Sequence, residues 1–421
     1  MKSTVKLLAP ALLFLSVSCR KETSTVSSST SSSDTSSSST TYYYQSGGTV
    51  SKTDKSYSSA ITDTSGVYVT NDGTFTLSNS TVKTTASTTS TDSSSFYGLN
   101  AIVRVDAAST VILTNSSLTS SGSGANGVLA TGTGTTVTLT NDTITTTANG
   151  AHGYDATYAA IINATDVNIT TSGASSSCIA TDRGGGTINV TGGVATAGGF
   201  LSAGIYSTGV ITVTGATISS TAADGGVIEG SNSIALANTT LTGTTDAIKI
   251  YHSESGDASG FTGTLTVNGG SLTATAGAAI YVLNETGVVT LKGGATVSTS
   301  TGYIIDAVDT STVTFTASGE TLTGNLYADT SSVIATTLES STTLKGVIHL
   351  AALTMDATST WTVTGNSILT TFSDASGISG TAISNITGNG YDVYYDSSLS
   401  GNSALGAKTY TLSGGGYLLP K

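Results

Sequence analysis

Residues 137–144 read Val-Thr-Leu-Thr-Asn-Asp-Thr-Ile, and the way this phrase returns along the chain decides the fold. Apolar residues hold its first, third and eighth positions, and Asn or Gly its fifth. Copies stand at Phe75/Leu77/Asn79/Val82, Val111/Leu113/Asn115/Leu118, Val137/Leu139/Asn141/Ile144, Ile211/Val213/Gly215/Ile218, Ile234/Leu236/Asn238/Leu241, Leu265/Val267/Gly269/Leu272 and Trp361/Val363/Gly365/Ile368. The alternation predicts a strand with one buried face. Asn and Gly both accept the left-handed backbone that other residues resist, so the fifth position predicts a tight bend and the eighth a second strand. With partial copies at Val167, Ile188, Val289 and Val313, the starts from Phe75 to Val313 lie 21 to 36 residues apart, the period of a solenoid coil, and Trp361 follows after 48.

A second column supports the coil independently. Before most phrases runs a small residue, an aliphatic one and a third, usually larger: Ala101-Ile102-Val103, Gly127-Val128-Leu129, Ala160-Ile161-Ile162, Cys178-Ile179-Ala180, Gly204-Ile205-Tyr206, Gly226-Val227-Ile228, Ala247-Ile248-Lys249, Ala279-Ile280-Tyr281 and Tyr303-Ile304-Ile305. One short strand, the phrase strand and the strand after the bend give each coil three faces. The expected fold is therefore all-β, a single-stranded three-faced right-handed parallel β-helix of roughly a dozen coils. Composition agrees: 50 Gly, 2 Pro and 10% charged residues fit neither a coiled coil nor an ordinary mixed domain.

The N-terminus carries a targeting signal. Lys2 and Lys6 precede an apolar run, Leu7 to Leu15, that is too short to span a membrane. The run ends in Ser16-Val17-Ser18-Cys19, which resembles the lipobox of bacterial lipoproteins, with Ser16 where Leu is usual. The resemblance implies a lipidated Cys19, with ordinary cleavage after Ser18 as the alternative, and Arg20 in place of the acid linked to inner-membrane retention. Expected boundaries are a signal peptide over 1–18, a Ser/Thr-rich tether over 19–45, the β-helix over 46–372, and terminal coils with a Tyr-rich cap over 373–421. The expected location is the outer membrane or cell surface, reached by secretion and kept through the lipid anchor alone.

Charge narrows the partners. The formal net charge of −12 becomes −14 once Lys2 and Lys6 leave with the signal, which excludes nucleic acid as a natural partner. With Cys19 consumed, Cys178 stands alone in the small-residue column, so no intrachain disulfide is expected and Cys178 reads as a small buried residue. Three histidines without ligand-like spacing argue against a transition-metal site; no cofactor is expected, and calcium at Asp-rich turns such as Asp306 to Asp309 stays open.

At fold level the chain resembles the pectate-lyase-like superfold, and over residues 60 to 370 the β-helices of adhesins and autotransporter passengers. The polygalacturonases of that superfold imply an Asp-Asp pair, a Gly-His-Gly turn and an Arg-Ile-Lys strand, none of which appears in this sequence. The nearest charged group is Asp246, Lys249, His252, Glu254 and Asp257, followed by an insertion reaching Phe261; His152, Tyr154 and Asp155 read as another inserted loop. Candidate ligand contacts are Tyr206, Lys249, Tyr251, His252 and Tyr281.

Two surface patterns remain. Outward Thr pairs such as Thr138/Thr140 and Thr212/Thr214 resemble the surface of ice-binding β-solenoids, but Asp166/Asn168, Ala235/Ala237 and Thr290/Lys292 interrupt them. Val103, Leu129, Ile162, Tyr206, Ile228, Tyr281 and Ile305 read either as an exposed apolar stripe or as residues covered by a loop or bend. The resulting expectation is a monomeric, non-enzymatic surface adhesin or structural rod binding glycan or protein. A polysaccharide lyase or glycoside hydrolase is the alternative, and an ice-binding Thr array the minor one.

Overall fold

The computed structural model describes residues 41–252, 256–374 and 376–421; Cys19 and Glu254 lie outside them. The chain winds into a right-handed parallel β-solenoid of about fifteen turns. One turn shows the plan. Val128–Thr131 forms the first face, Thr136–Thr140 the second and Thr143–Thr146 the third. Each pairs in parallel with its counterpart one turn on, at Tyr154–Thr157, Ile161–Thr165 and Asn168–Thr171. Exceptions to the parallel pairing include the last hairpin, where Tyr410 opposes Leu418.

Stacking like on like builds the core. Inside the second face, Phe75, Val111, Val137, Ile162, Ile188, Ile211, Ile234 and Leu265 form one continuous ladder, every member at most 1% exposed. Burying such side chains drives this fold, because a coil alone cannot cover its own apolar face. The bend after the second face is left-handed as expected, with φ of 49° at Asn79, 51° at Asn115, 54° at Asn141 and 68° at Gly215.

Register corrects several details of the sequence reading. Ile162 pairs with Val137 and Ile188, so Ala160-Ile161-Ile162 belongs to the second face, and the partial copy at Val167 begins five residues too late. The first-face position it was assigned is taken by Tyr154, between Val128 and Ile179. The segment read as an inserted loop is thus a strand, buried at all four residues. In the next-to-last turns, Trp361 stacks between Leu344 and Ile386 on the third face, and Gly365 lacks a positive φ, so that copy of the phrase is accidental. Phe315, and not Val313, pairs with Val289. Finally Gly226, and not Val227, pairs with Ile248, whose Cδ1 fills the space a Cβ at Gly226 would take.

The apolar stripe is covered at five of its seven positions, Tyr206 and Tyr281 staying half-buried. Val103, Ile162, Ile228 and Ile305 are fully buried. Val103, Ile228 and Ile305 do so because the first-face strands are entered one residue later than alternation from Ile102, Val227 and Ile304 implied. Leu129 points outward yet is also buried, beneath a short helix at Thr91–Tyr97. Ser90 caps that helix by accepting a hydrogen bond from the Ser93 N–H, and Gly98 ends it at φ 70°. Phe96 anchors it: its carbonyl accepts hydrogen bonds from Thr131 Oγ1 (3.2 Å) and Thr157 Oγ1 (2.8 Å) on successive turns. Cys178 sits fully buried in the small-residue column, and burial pushes its thiol pKa up to about 12.

The Thr ladder is not a lattice. In register, the outward column of the second face runs Thr76, Ile112, Thr138, Asn163, Asn189, Thr212, Ala235, Thr266. At the C-terminal end Tyr395 and Tyr410 are buried, with hydroxyls donating to the carbonyls of Lys408 (2.8 Å) and Leu405 (2.9 Å). Tyr391 and Tyr417 remain exposed.

Candidate functional site

The first face carries the chemistry. Its outward column runs, in register, Tyr68, Arg104, Leu129, Asp155, Ala180, Tyr206, Val227, Lys249, Tyr281, Asp306, Tyr327 and His349. A parallel ladder stacks these side chains one strand spacing apart, about 4.8 Å, so neighbours in the column touch. Tyr68 lies under the Arg104 guanidinium at 4.4 Å and donates to Asp106 at 2.8 Å. Tyr327 stacks on His349 with ring centres 4.9 Å apart.

The proposed contact residues divide. Tyr206 and Tyr251 come together, both hydroxyls donating to the same Glu229 oxygen, Tyr251 at 2.8 Å. Glu229 is itself almost fully buried. The Lys249 ammonium lies 5.0 Å from the centre of the Tyr251 ring, and Tyr281 follows Lys249 in register. His252 turns away: it stacks on Phe261 and its Nδ1 lies 3.7 Å from Glu285.

Of the charged group around Lys249, Asp246 and Asp257 make their hydrogen bonds elsewhere, though the Lys249 charge still acts on Asp246. Asp246 Oδ1 accepts the Ala278 N–H at 2.7 Å and serves a corner; burial pushes its pKa up to about 6. Asp257 pairs with Arg183 at 2.7 Å, a residue 74 positions earlier. The Arg183 guanidinium in turn lies 3.9 Å over the Phe96 ring. Two insertions are therefore joined on this face, one ending in the helix and the other following Tyr251.

Beside that junction opens a pocket of about 520 Å³. Helix residues Thr91 and Ser95 contribute to one wall, and corner residues Ser123, Asn149, Ser175 and Ser177 to another; His152, Asp182, Leu201 and Tyr206 complete the lining. The wall mixes hydroxyl, amide, imidazole and carboxyl groups with a larger share of apolar surface, the usual make-up of a small-molecule pocket.

Sequence reasoning missed the group at this pocket. His152, Asp155 and Asp182 each offer a ligand-type atom, all within 4.8 Å of one another. His152 and Asp155 flank Tyr154 on one turn, and Asp182 follows the strand Ile179–Thr181 of the next. Asp155 has no exposed surface, and neither of its carboxylate oxygens has a hydrogen-bond partner of acceptable geometry. His152 Nδ1 is likewise unpartnered. Burial raises the Asp155 pKa well above the usual range, helped by the charge of Asp182. Asp182 is pushed up to about 7, chiefly by burial and then by Asp257 and Glu229, while the Arg183 N–H opposes the shift. Burial lowers His152 to about 4. The signal lay in the period: Asp155 occupies an outward position between Leu129 and Ala180, where a charge has no solvent to meet.

Comparison with protein families, curated proteins and solved structures finds no match to this chain. What is shown is the right-handed parallel β-solenoid, and fold does not fix function.

Proposed function

We propose that this chain is a surface-displayed β-helix that binds glycan on its first face, held to a membrane by lipid on Cys19. The observation that carries the reading is the pair Tyr206 and Tyr251 on Glu229, with Lys249 beside the Tyr251 ring and Tyr281 next to Lys249 in the column, near a pocket whose lining includes hydroxyl and amide groups. Aromatic rings offer a flat apolar surface to the C–H face of a sugar, while acids, amides and hydroxyls meet its hydroxyl groups. The face is rigid, because every contact stands on a stacked strand or a corner of the solenoid. Rigid placement lowers the entropy cost of capturing a flexible polysaccharide.

Cleavage is the second reading, favoured by Asp155 and Asp182. A carboxyl with pKa about 7 can protonate a leaving oxygen. Acid and nucleophile in retaining glycosidases stand about 5–5.5 Å apart, and in inverting ones further. Here the acids lie within 4.8 Å and Asp155 is fully buried, so binding ranks first.

A glycan-array screen beside a reducing-sugar release assay tests both. Retention of a glycan without release supports the binding reading. Release that disappears in Asp182→Asn moves the assignment to an enzyme, and no retained glycan at all refutes the proposal.

A further inference from the structure

We propose that His152, Asp155 and Asp182 bind one divalent transition-metal ion, of the Zn²⁺ class, at the base of the first-face pocket. This goes beyond the glycan reading and holds or fails independently of it.

The argument begins with Asp155. A carboxylate removed from water without a partner is among the most costly arrangements in a protein interior, and natural structures relieve it by pairing, by protonation or by a metal. Asp155 is fully buried, neither oxygen makes a well-formed hydrogen bond, the neighbouring Ala156 N–H being its one polar contact, and a second carboxylate, Asp182, stands within 4.8 Å. Packing two acids together increases the cost. Within the group His152 alone can carry positive charge; it is buried with Nδ1 unpartnered, its ring meeting the Ser177 backbone, and outside the group the Arg183 charge acts on Asp182. A divalent cation would neutralise both carboxylates and occupy the free nitrogen at once.

The donor set indicates which cation. One imidazole nitrogen with two carboxylates matches Zn²⁺ and its first-row neighbours, whereas Ca²⁺ and Mg²⁺ take oxygen ligands and prefer more of them. Ligand bonds of about 2 Å place donors up to about 4 Å apart around one ion, so a separation within 4.8 Å asks for adjustments of about 1 Å. The ligands stand on two adjacent turns locked in register by Asp155 opposite Ala180, a rigid frame of the kind a metal site requires. His152 and Asp182 also line the pocket. A metal held by three protein ligands keeps a position for water or for a ligand hydroxyl there, as non-structural zinc sites do.

The test uses the full mature chain, stripped with EDTA and titrated calorimetrically with ZnCl₂, with CaCl₂ as the comparison. We expect one Zn²⁺ per chain with Kd of micromolar or tighter, little heat with Ca²⁺, and a melting temperature raised by Zn²⁺. Asp155→Asn and Asp182→Asn, close in shape to the parent, should each weaken Zn²⁺ binding at least tenfold and lose the thermal shift. Should Asp155→Asn fail to fold, Asp182→Asn and His152→Gln carry the comparison. Absence of Zn²⁺ binding up to 1 mM overturns the proposal, as does equal affinity in parent and variants. So does a preference for Ca²⁺. An Asp155→Asn protein that is more stable than a parent binding no metal would show that the two acids share a proton instead.

Discussion

Arg183 and Asp257 are 74 residues apart, yet the guanidinium donates twice to one carboxylate oxygen, from Nε at 3.1 Å and from the terminal nitrogen at 2.7 Å. Because the same guanidinium covers Phe96, this pair fastens the segment after Tyr251 to the helix-bearing insertion beside the pocket. Both partners are partly exposed, so the effect of breaking the pair is local and weakened by salt. In Asp257→Ala, amide hydrogens over residues 256–261 should exchange several-fold faster while the global melting temperature hardly moves. Unchanged exchange there would show that the segment is held by other contacts.

Asn141 turns the chain between the second and third faces at φ 54°. Asn141→Val places a β-branched residue in a conformation it resists and should cost about 1–2 kcal/mol in urea unfolding. Asn141→Gly should lie close to the parent. Equal midpoints for the two variants would contradict the assigned role of the bend.

The fold was legible because the phrase combines two independent signals, strand alternation and a left-handed residue at a fixed offset. Where both were present, as at Asn79 and Asn115, the structure agrees, the exception being Trp361 to Ile368, where Gly365 has no positive φ. Where only spacing was available the reading slipped. Ile161-Ile162 mimicked a first-face triplet, and that hid Tyr154-Asp155 as a strand. Three-residue strands do not fix parity, so Val103 and Ile305 were placed on either side with equal reason. The helix at Thr91–Tyr97 left no trace, since a single turn or two of Thr, Ser and Asp lacks helix propensity and is formed by its cap and by Phe96 packing. The pocket acids were missed for a different reason. His152, Asp155 and Asp182 are brought together by stacking of adjacent turns, which local sequence does not display.

Acid should weaken one corner in a defined direction. The backbone N–H of Asp309 and both the N–H and hydroxyl of Ser331 donate to Asp329, each at 2.9 Å, and hold its carboxyl well below its ordinary value of 3.8. A depressed folded pKa means stability that is present above the unfolded value and is lost as pH falls below it toward the folded one. Asp329→Ala should therefore melt lower than the parent at pH 7, with the difference shrinking below pH 3.8. A gap independent of pH would assign the effect to packing and not to the carboxylate.

The proposed anchoring is motivated by Cys19 after its apolar run. Cys19→Ala should move the protein from the membrane fraction to the soluble one. Fractionation identical to the parent would refute lipidation at that residue.

The central claim is that the first face recognises the ligand, and the most direct test compares faces. For a glycan retained on the array, affinity should be measured for the parent, for Lys249→Ala and Tyr281→Ala on the first face, and for Thr212→Ala, exposed on the second. The first-face variants should each weaken binding tenfold or more, about 1.4 kcal/mol, and Thr212→Ala should bind as the parent does. Full affinity in both first-face variants, or a comparable loss in Thr212→Ala, would contradict the account.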